Sequence, residues 1–200
     1  MNRAHFDSVH IIDGFVDEIS LDYIAKMIVN SEYGDSTAKP QGEDGYRDSS
    51  HGENILDSIA RYSPASVILK PSEDYPIKPV IDPIMLKIHS TIQKLWDREC
   101  FLETNYSVLG YRVGESLKAH HDAIYNLKTN TGYPRCDISA VLYLNDDYSG
   151  GELSFVKQKI KIKPKAGSVV VFPSTEKFTH YVNKVTSGMK FFVPSLWCFQ

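Results

Sequence analysis

The chain has 200 residues, 42% of them hydrophobic and 24% charged, with a formal net charge of −3. Such values suit one globular domain with a real core and give no electrostatic case for nucleic acid as the main partner. No apolar run reaches the length of a membrane helix, and no secretory apolar segment follows the N-terminal residues, so the expected location is cytoplasmic. Cys100, Cys136 and Cys198 are odd in number and widely spaced. They read as reduced core thiols rather than as a disulfide frame or a zinc site.

In chain order, residues 8–16 begin as a strand and end at the Asp13-Gly14 turn. Ser20 is then placed to cap a helix whose apolar face is Leu21, Ile24, Ile28 and Val29. Residues 34–54 are polar, contain four glycines and lack periodicity. Such a stretch is either a lid over a site or a segment without fixed structure. A second helix is expected to start with Asp82 as N-cap and Pro83 at the first helical position. Its stripe is Ile84, Ile88, Ile92, Leu95 and Trp96.

From residue 105 the pattern changes to short β runs: 105–113, 117–122, 137–144, 152–156, 159–163, 168–172, 179–182 and 189–198. Turn signals such as Gly150-Gly151 and Ser187-Gly188 separate most of them. Short strands at even spacing suggest a sandwich or jelly roll. The expected fold is therefore mainly β with flanking helices, the N-terminal helices packed on one outer face. The expected organisation is a single domain, 1–200, with 1–104 as helical support and substrate-loop region and 105–200 as the jelly-roll core.

The chemistry starts at His120-His121-Asp122, at the end of a β run. Side chains alternate along a strand, so His120 and Asp122 share a face and His121 points away. An imidazole and a carboxylate on one face, joined by an imidazole from a distant strand, make a three-ligand facial set. That set leaves metal positions open, as in non-haem iron oxygenases. A His-x-Asp alone is common by chance, so its company decides. His180 is the candidate third ligand. Lys190 follows ten positions later, within an otherwise apolar run, Met189 to Val193. A lysine facing inward there is costly unless paired, so it either points to solvent or anchors a buried carboxylate. The Tyr143 phenol can donate to that carboxylate, and Tyr111 is a further candidate for lining the pocket.

In these residues the chain resembles the prolyl 4-hydroxylase-like branch of the 2-oxoglutarate/Fe(II) dioxygenase superfamily. The resemblance spans about 105–200. It rests on Tyr111-Arg112-Val113-Gly114, His120-x-Asp122 and the run from Arg135 to Asn145. It continues through Gly150-Gly151-Glu152-Leu153, Pro164 to Gly167, Val170 to Pro173, His180-Tyr181-Val182 and Val185 to Lys190, and Trp197 closes it. The resemblance implies a double-stranded β-helix, a cupin-like jelly roll, with iron at one mouth held by His120, Asp122 and His180. It places Lys190 on the far carboxylate of 2-oxoglutarate, with Tyr143 and Tyr111 lining that pocket. Lysine there gives up the bidentate geometry of arginine. It implies Fe(II), 2-oxoglutarate and O2 as cofactors, with ascorbate as an optional reductant. Arg47, Tyr125, Arg135 and Trp197 are the candidate substrate contacts, and Tyr133 offers further aromatic surface.

The implied reaction is hydroxylation of an unactivated C–H bond, most simply of a peptidyl proline, with conversion of 2-oxoglutarate to succinate. A free amino acid, another small molecule or a nucleobase is the second substrate class. The nucleic-acid repair branch carries a further arginine after its 2-oxoglutarate anchor, whereas residues 191–200 contain neither Arg nor Lys. A third reading, a jelly-roll binding module without catalysis, predicts loss of a ligand or of the anchor, and all four positions are intact. Zinc-dependent hydrolysis would leave Lys190 and Tyr143 without a role.

Overall fold

The structure is a computed structural model that describes residues 8–29, 66–69, 77–103, 106–123, 125–126, 131–132 and 136–200. The polar stretch 34–54 with Arg47, together with Tyr133 and Arg135, lies outside these residues. Of Tyr125 only the backbone is described.

The first elements are β1 (His10–Ile12), α1 (Glu18–Val29), β2 (Ser66–Leu69), α2 (Lys78–Trp96), β3 (Cys100–Leu102), β4 (Val108–Tyr111) and β5 (Leu117–His120). Next come β6 (Tyr125–Asn126), β7 (Thr131–Gly132), β8 (Ile138–Tyr143), β9 (Ser149–Gly150), β10 (Leu153–Phe155) and β11 (Ile160–Ile162). The chain ends with β12 (Val169–Pro173), β13 (His180–Val182), β14 (Val185–Ser187) and β15 (Lys190–Phe199). A large sheet runs β1-β12-β8-β15-β4-β2, with β3 also on β15, and a smaller sheet runs β11-β10-β13-β5. The large sheet takes β1, β2 and β3 from the N-terminal half.

Alternation along the large sheet sorts its residues into two cores. Ile138, Ala140, Leu142, Val169, Val171, Val193, Trp197 and Phe199 pack with α1 and α2. Tyr143, Val170, Phe172 and Phe192 point the other way and meet Leu153, Phe155, Ile162 and Val182 of the smaller sheet. With both faces covered, the strands read as continuous apolar runs such as Val169-Val170-Val171-Phe172, all buried. The helices thus sit on one outer face of a jelly roll, and the second core fills the space between its sheets.

Two helix starts differ from the sequence reading. Asp17, not Ser20, caps α1. Its carboxylate accepts from the Ser20 backbone N–H and hydroxyl, both at 2.8 Å. Aspartate is a strong N-cap, and Ser20 becomes the residue three positions on whose orphan N–H is satisfied. Val29 is 71% exposed and leaves the expected face, whereas Ile24 and Ile28 are buried. Helix α2 begins at Lys78, and Pro83 lies inside it. Pro79 takes the early position where a missing N–H is harmless. Burial of Ile77 and Ile81 extends the stripe of Ile84, Ile88, Ile92 and Trp96 toward the N-terminus. Pro83 removes only one rung, and that apolar face outweighs the loss. Asp82, expected as the cap, instead accepts a hydrogen bond from the Tyr106 hydroxyl.

Candidate metal centre

His120 and His180 are brought together by strand pairing. They face one another in register where β5 pairs β13 antiparallel. Their rings lie 4.4 Å apart, centroid to centroid, at 56°. Strand β5 ends at His120, so Asp122 lies beyond it in a bend and not within a strand. The grouping of His120 with Asp122 stands, but the alternation argument for it does not, because the ladder stops two residues early. Asp122 is placed by the Ser139 hydroxyl of β8, which donates to its Oδ2 at 2.6 Å. Its carboxylate lies 3.3 Å from His120 Nε2 and 3.8 Å from His180 Nε2. One ligand atom from each of the three residues falls within a 4.8 Å group.

Each imidazole is oriented through its other nitrogen. His120 Nδ1 bonds the Lys118 carbonyl at 2.8 Å, and His180 Nδ1 bonds the Phe178 carbonyl at 3.0 Å. Donation from Nδ1 points both Nε2 atoms at the carboxylate. Burial would lower the His120 pKa, but the hydrogen bond to Asp122 raises it, and a metal taking the place of that Nε2 proton would meet a lone pair. Burial pulls His180 down, so its imidazole is neutral at pH 7. Burial would raise the Asp122 carboxyl, but His180, the His120 hydrogen bond and the Ser139 hydroxyl outweigh it and hold the group at about 2. Two lone pairs and one ionised carboxylate on one side fit a divalent metal with its other side open. Behind Ser139, a chain of polar atoms runs to Ser174 Oγ at 2.7 Å and on to Cys136 Sγ at 3.0 Å. All three residues are buried, which locks the carboxylate's support.

Lys190 lies in the same interior. It is 1% exposed, on the β15 face that carries Phe192, and it pairs with Tyr111 across β4. Its ammonium donates to the Gly151 carbonyl at 2.6 Å, and among the described residues no carboxylate forms an ion pair with it. Four rings surround it: Tyr143 at 5.0 Å, Phe192 at 5.6 Å, and Tyr111 and Tyr148 at 5.9 Å from the centroids. Burial pushes its pKa down to about 7, only partly offset by Glu152. A buried ammonium with donors to spare inside an aromatic wall is the complement of a carboxylate brought by a small molecule. The interior links the two ends: Phe172 and Phe155 contact the His180 ring and belong to one cluster with Tyr111, Tyr143 and Phe192.

The structure therefore brings together His120, Asp122 and His180, and separately Lys190, Tyr143 and Tyr111. It does not bring Trp197 to them. Trp197 is 3% exposed on the opposite face of β15, stacks on His89 at 5.7 Å and donates from Nε1 to Ser195. Its parity puts it in the helix-side core, which removes it as a substrate contact. His121 is half-buried and outside the ligand group. Sequence reasoning missed Ser139, Ser174 and Tyr148. The signal for Ser139 was its parity with Tyr143 on β8; Ser174 and Tyr148 gave none, since both lie outside strands. Gly151 has φ +65°, and an added Cβ would come within 3.1 Å of Tyr148 Cε2 and 3.3 Å of Lys190 Cδ. Only glycine fits that position.

Fold and site define a class: a jelly roll with two histidines and one carboxylate grouped as a candidate metal centre, and a buried lysine in the barrel. The family model described as the 2OG-Fe(II) oxygenase superfamily matches residues 106–198. Human prolyl 3-hydroxylase 2 is 40% identical over 75 residues, 35% of this chain and 10% of that protein. A PKHD-type hydroxylase of Nitrosomonas europaea is 36% identical over 92 residues, 43% of this chain and 35% of that protein. The chain thus spans about a third or less of the length of these relatives. Among solved structures, a prolyl hydroxylase from Trichoplax adhaerens in complex with a hypoxia inducible factor peptide has a TM-score of 0.69 at 16% identity. It covers 98% of this chain and 86% of that one. The viral collagen prolyl hydroxylase of Paramecium Bursaria Chlorella virus-1, in its 2OG complex, has a TM-score of 0.64 at 19% identity. It covers 95% of this chain and 94% of that one. These structural likenesses establish the fold. No helix among the described residues is long and apolar enough to cross a membrane.

Proposed function

We propose that this chain is an Fe(II)- and 2-oxoglutarate-dependent dioxygenase of the prolyl 4-hydroxylase-like type, working as one domain. We propose further that it hydroxylates a prolyl residue of a peptide or protein. The observation that carries the reading is Lys190. A metal centre alone would serve many reactions. A buried ammonium in the same interior, ringed by Tyr111, Tyr143, Tyr148 and Phe192, has the chemistry of a dicarboxylate anchor.

When bound, iron together with 2-oxoglutarate supplies the activation of O2, with succinate and carbon dioxide leaving and hydroxyl entering a C–H bond. His120, Asp122 and His180 hold the metal. Lys118 O, Phe178 O and Ser139 Oγ fix the three ligands in place. Lys190 orients the far carboxylate, with Tyr143 beside it, and Phe155, Phe172 and Phe178 keep water from the interior. Ascorbate is the proposed reductant for iron oxidised without substrate turnover. The peptidyl proline is supported by two of the similar proteins, human prolyl 3-hydroxylase 2 and the solved Trichoplax adhaerens prolyl hydroxylase, the latter in complex with a peptide. Arg47, Tyr125 and Arg135 are proposed substrate contacts from their sequence positions. Buried thiols at Cys100, Cys136 and Cys198 support a cytoplasmic setting.

The test is spectroscopic and then catalytic. Anaerobic Fe(II) plus 2-oxoglutarate should give a weak visible charge-transfer band, and His180→Ala should abolish it. A band that survives the substitution removes His180 from the ligand set. Succinate release over a peptide library containing proline-rich sequences then tests the substrate, and a blank library shifts the substrate to small molecules.

A further inference from the structure

Tyr148 is a buried phenol whose ring lies beside the Lys190 ammonium and whose hydroxyl the proposed chemistry leaves without a role. It is 2% exposed, and its hydroxyl has no hydrogen-bond partner among the described residues. Buried hydroxyls are nearly always bonded, so such an orphan calls for an explanation. Its surroundings supply one. The ring lies 5.9 Å from the Lys190 ammonium. Its Cε2 edge would be only 3.1 Å from a Cβ on Gly151, the residue whose carbonyl takes one Lys190 hydrogen. Lys163 flanks the same ring at 5.6 Å. The Tyr148 hydroxyl is also close enough to Tyr143 to help raise that phenol's pKa.

A lysine is a point donor with three hydrogens, and here one of them is already spent on Gly151. A carboxylate offers about four acceptor sites, more than the remaining two hydrogens fill. We propose that Tyr148 is a further cosubstrate-binding residue, whose phenol donates to the distal carboxylate of 2-oxoglutarate held by Lys190. With Tyr143, it adds the donors that a guanidinium fork would have supplied and a lysine lacks. The inference rests on the proposed 2-oxoglutarate site. It adds a residue outside any strand, whose ring edge lies against Gly151.

The test compares two keto acids on anaerobic Fe(II) protein, read by titrating the charge-transfer band. 2-Oxopentanoate resembles 2-oxoglutarate without the distal carboxylate. Tyr148→Phe keeps the ring and should weaken 2-oxoglutarate binding about ten- to a hundredfold, as for loss of a bond to a charged group. Binding of 2-oxopentanoate and of Fe(II) should stay unchanged. The metal-free variant should melt no lower than the parent, because the removed hydroxyl satisfied nothing in the fold. An unchanged affinity for 2-oxoglutarate overturns the proposal. So does equal weakening of both keto acids, or a lowered melting temperature, since each marks a structural role. Lys190→Met run in parallel separates the two readings. If it keeps full affinity for 2-oxoglutarate, the cosubstrate site itself is misplaced; if it loses affinity while Tyr148→Phe does not, only Tyr148 is wrong.

Discussion

The two faces of the large sheet are built from the same strands and do different work. On the helix side β8, β12 and β15 present Ile138, Ala140, Leu142, Val169, Val171, Val193, Trp197 and Phe199. On the barrel side, one residue along, the same strands present Ser139, Tyr143, Phe172, Lys190 and Phe192. Alternation lets every second residue carry packing while its neighbour carries chemistry. The helix side holds the sheet in shape, so the barrel side can keep a buried ammonium at a cost in stability. Changes on the two faces should therefore move different observables.

The largest stability loss is expected on the helix side. Trp197→Ala should lower unfolding free energy by about 3–5 kcal/mol, read by urea titration, with the Kd for 2-oxoglutarate unchanged below the transition. A large shift in that Kd with intact folding would return Trp197 to the site. On the barrel side the sign reverses. Lys190→Met should weaken 2-oxoglutarate binding by about a hundredfold. At the same time it should stabilise the metal-free protein by on the order of 1–3 kcal/mol, because a buried ammonium is lost. Destabilisation together with retained binding would erase the contrast between the faces.

A pH titration sharpens the same point. Lys190 titrates at about 7 in the fold against an ordinary 10.5. A bound carboxylate raises it, so binding takes up a proton. The 2-oxoglutarate Kd should then rise by about tenfold per unit once pH exceeds about 7, and Lys190→Met should flatten the curve. Without ligand the unfolded chain binds more protons than the fold between the two values, so Lys190 makes stability increase with pH across that window. The smallest effect is expected at Ser139, which supports one ligand and otherwise bonds only the Ser174 hydroxyl among the described hydrogen bonds of its side chain. Ser139→Ala should weaken Fe(II) affinity by roughly tenfold and leave the melting temperature nearly unchanged; unaltered metal affinity would make the Ser139–Asp122 bond incidental.

Much of the site was legible in the chain because its chemistry is local. His120-x-Asp122, His180 and Lys190 are chemical types that stand out against β runs, and their order carried the resemblance. The apolar stripe of α2 was legible for the same reason, being a period of one element. Its start was not, because Pro79 and Pro83 both look like first-turn prolines, and only burial of Ile77 and Ile81 against the sheet chooses between them. Tyr148 was illegible as a site residue, and Ser139 showed only its parity with Tyr143. A serine in a strand and a tyrosine in a turn show their partners only when Asp122 and Lys190 arrive from elsewhere.

The sequence by itself determined the class of fold, the three candidate ligands and the lysine that goes with them, because strand period and residue chemistry are written in adjacent positions. Only the tertiary structure decided that β5 and β13 meet with His120 opposite His180 and that Asp122 is steered by a serine of the other sheet. It alone sent Trp197 to the opposite core from Lys190. Those outcomes depend on register and on which face is covered by what, and both are settled by contacts between residues far apart in the chain.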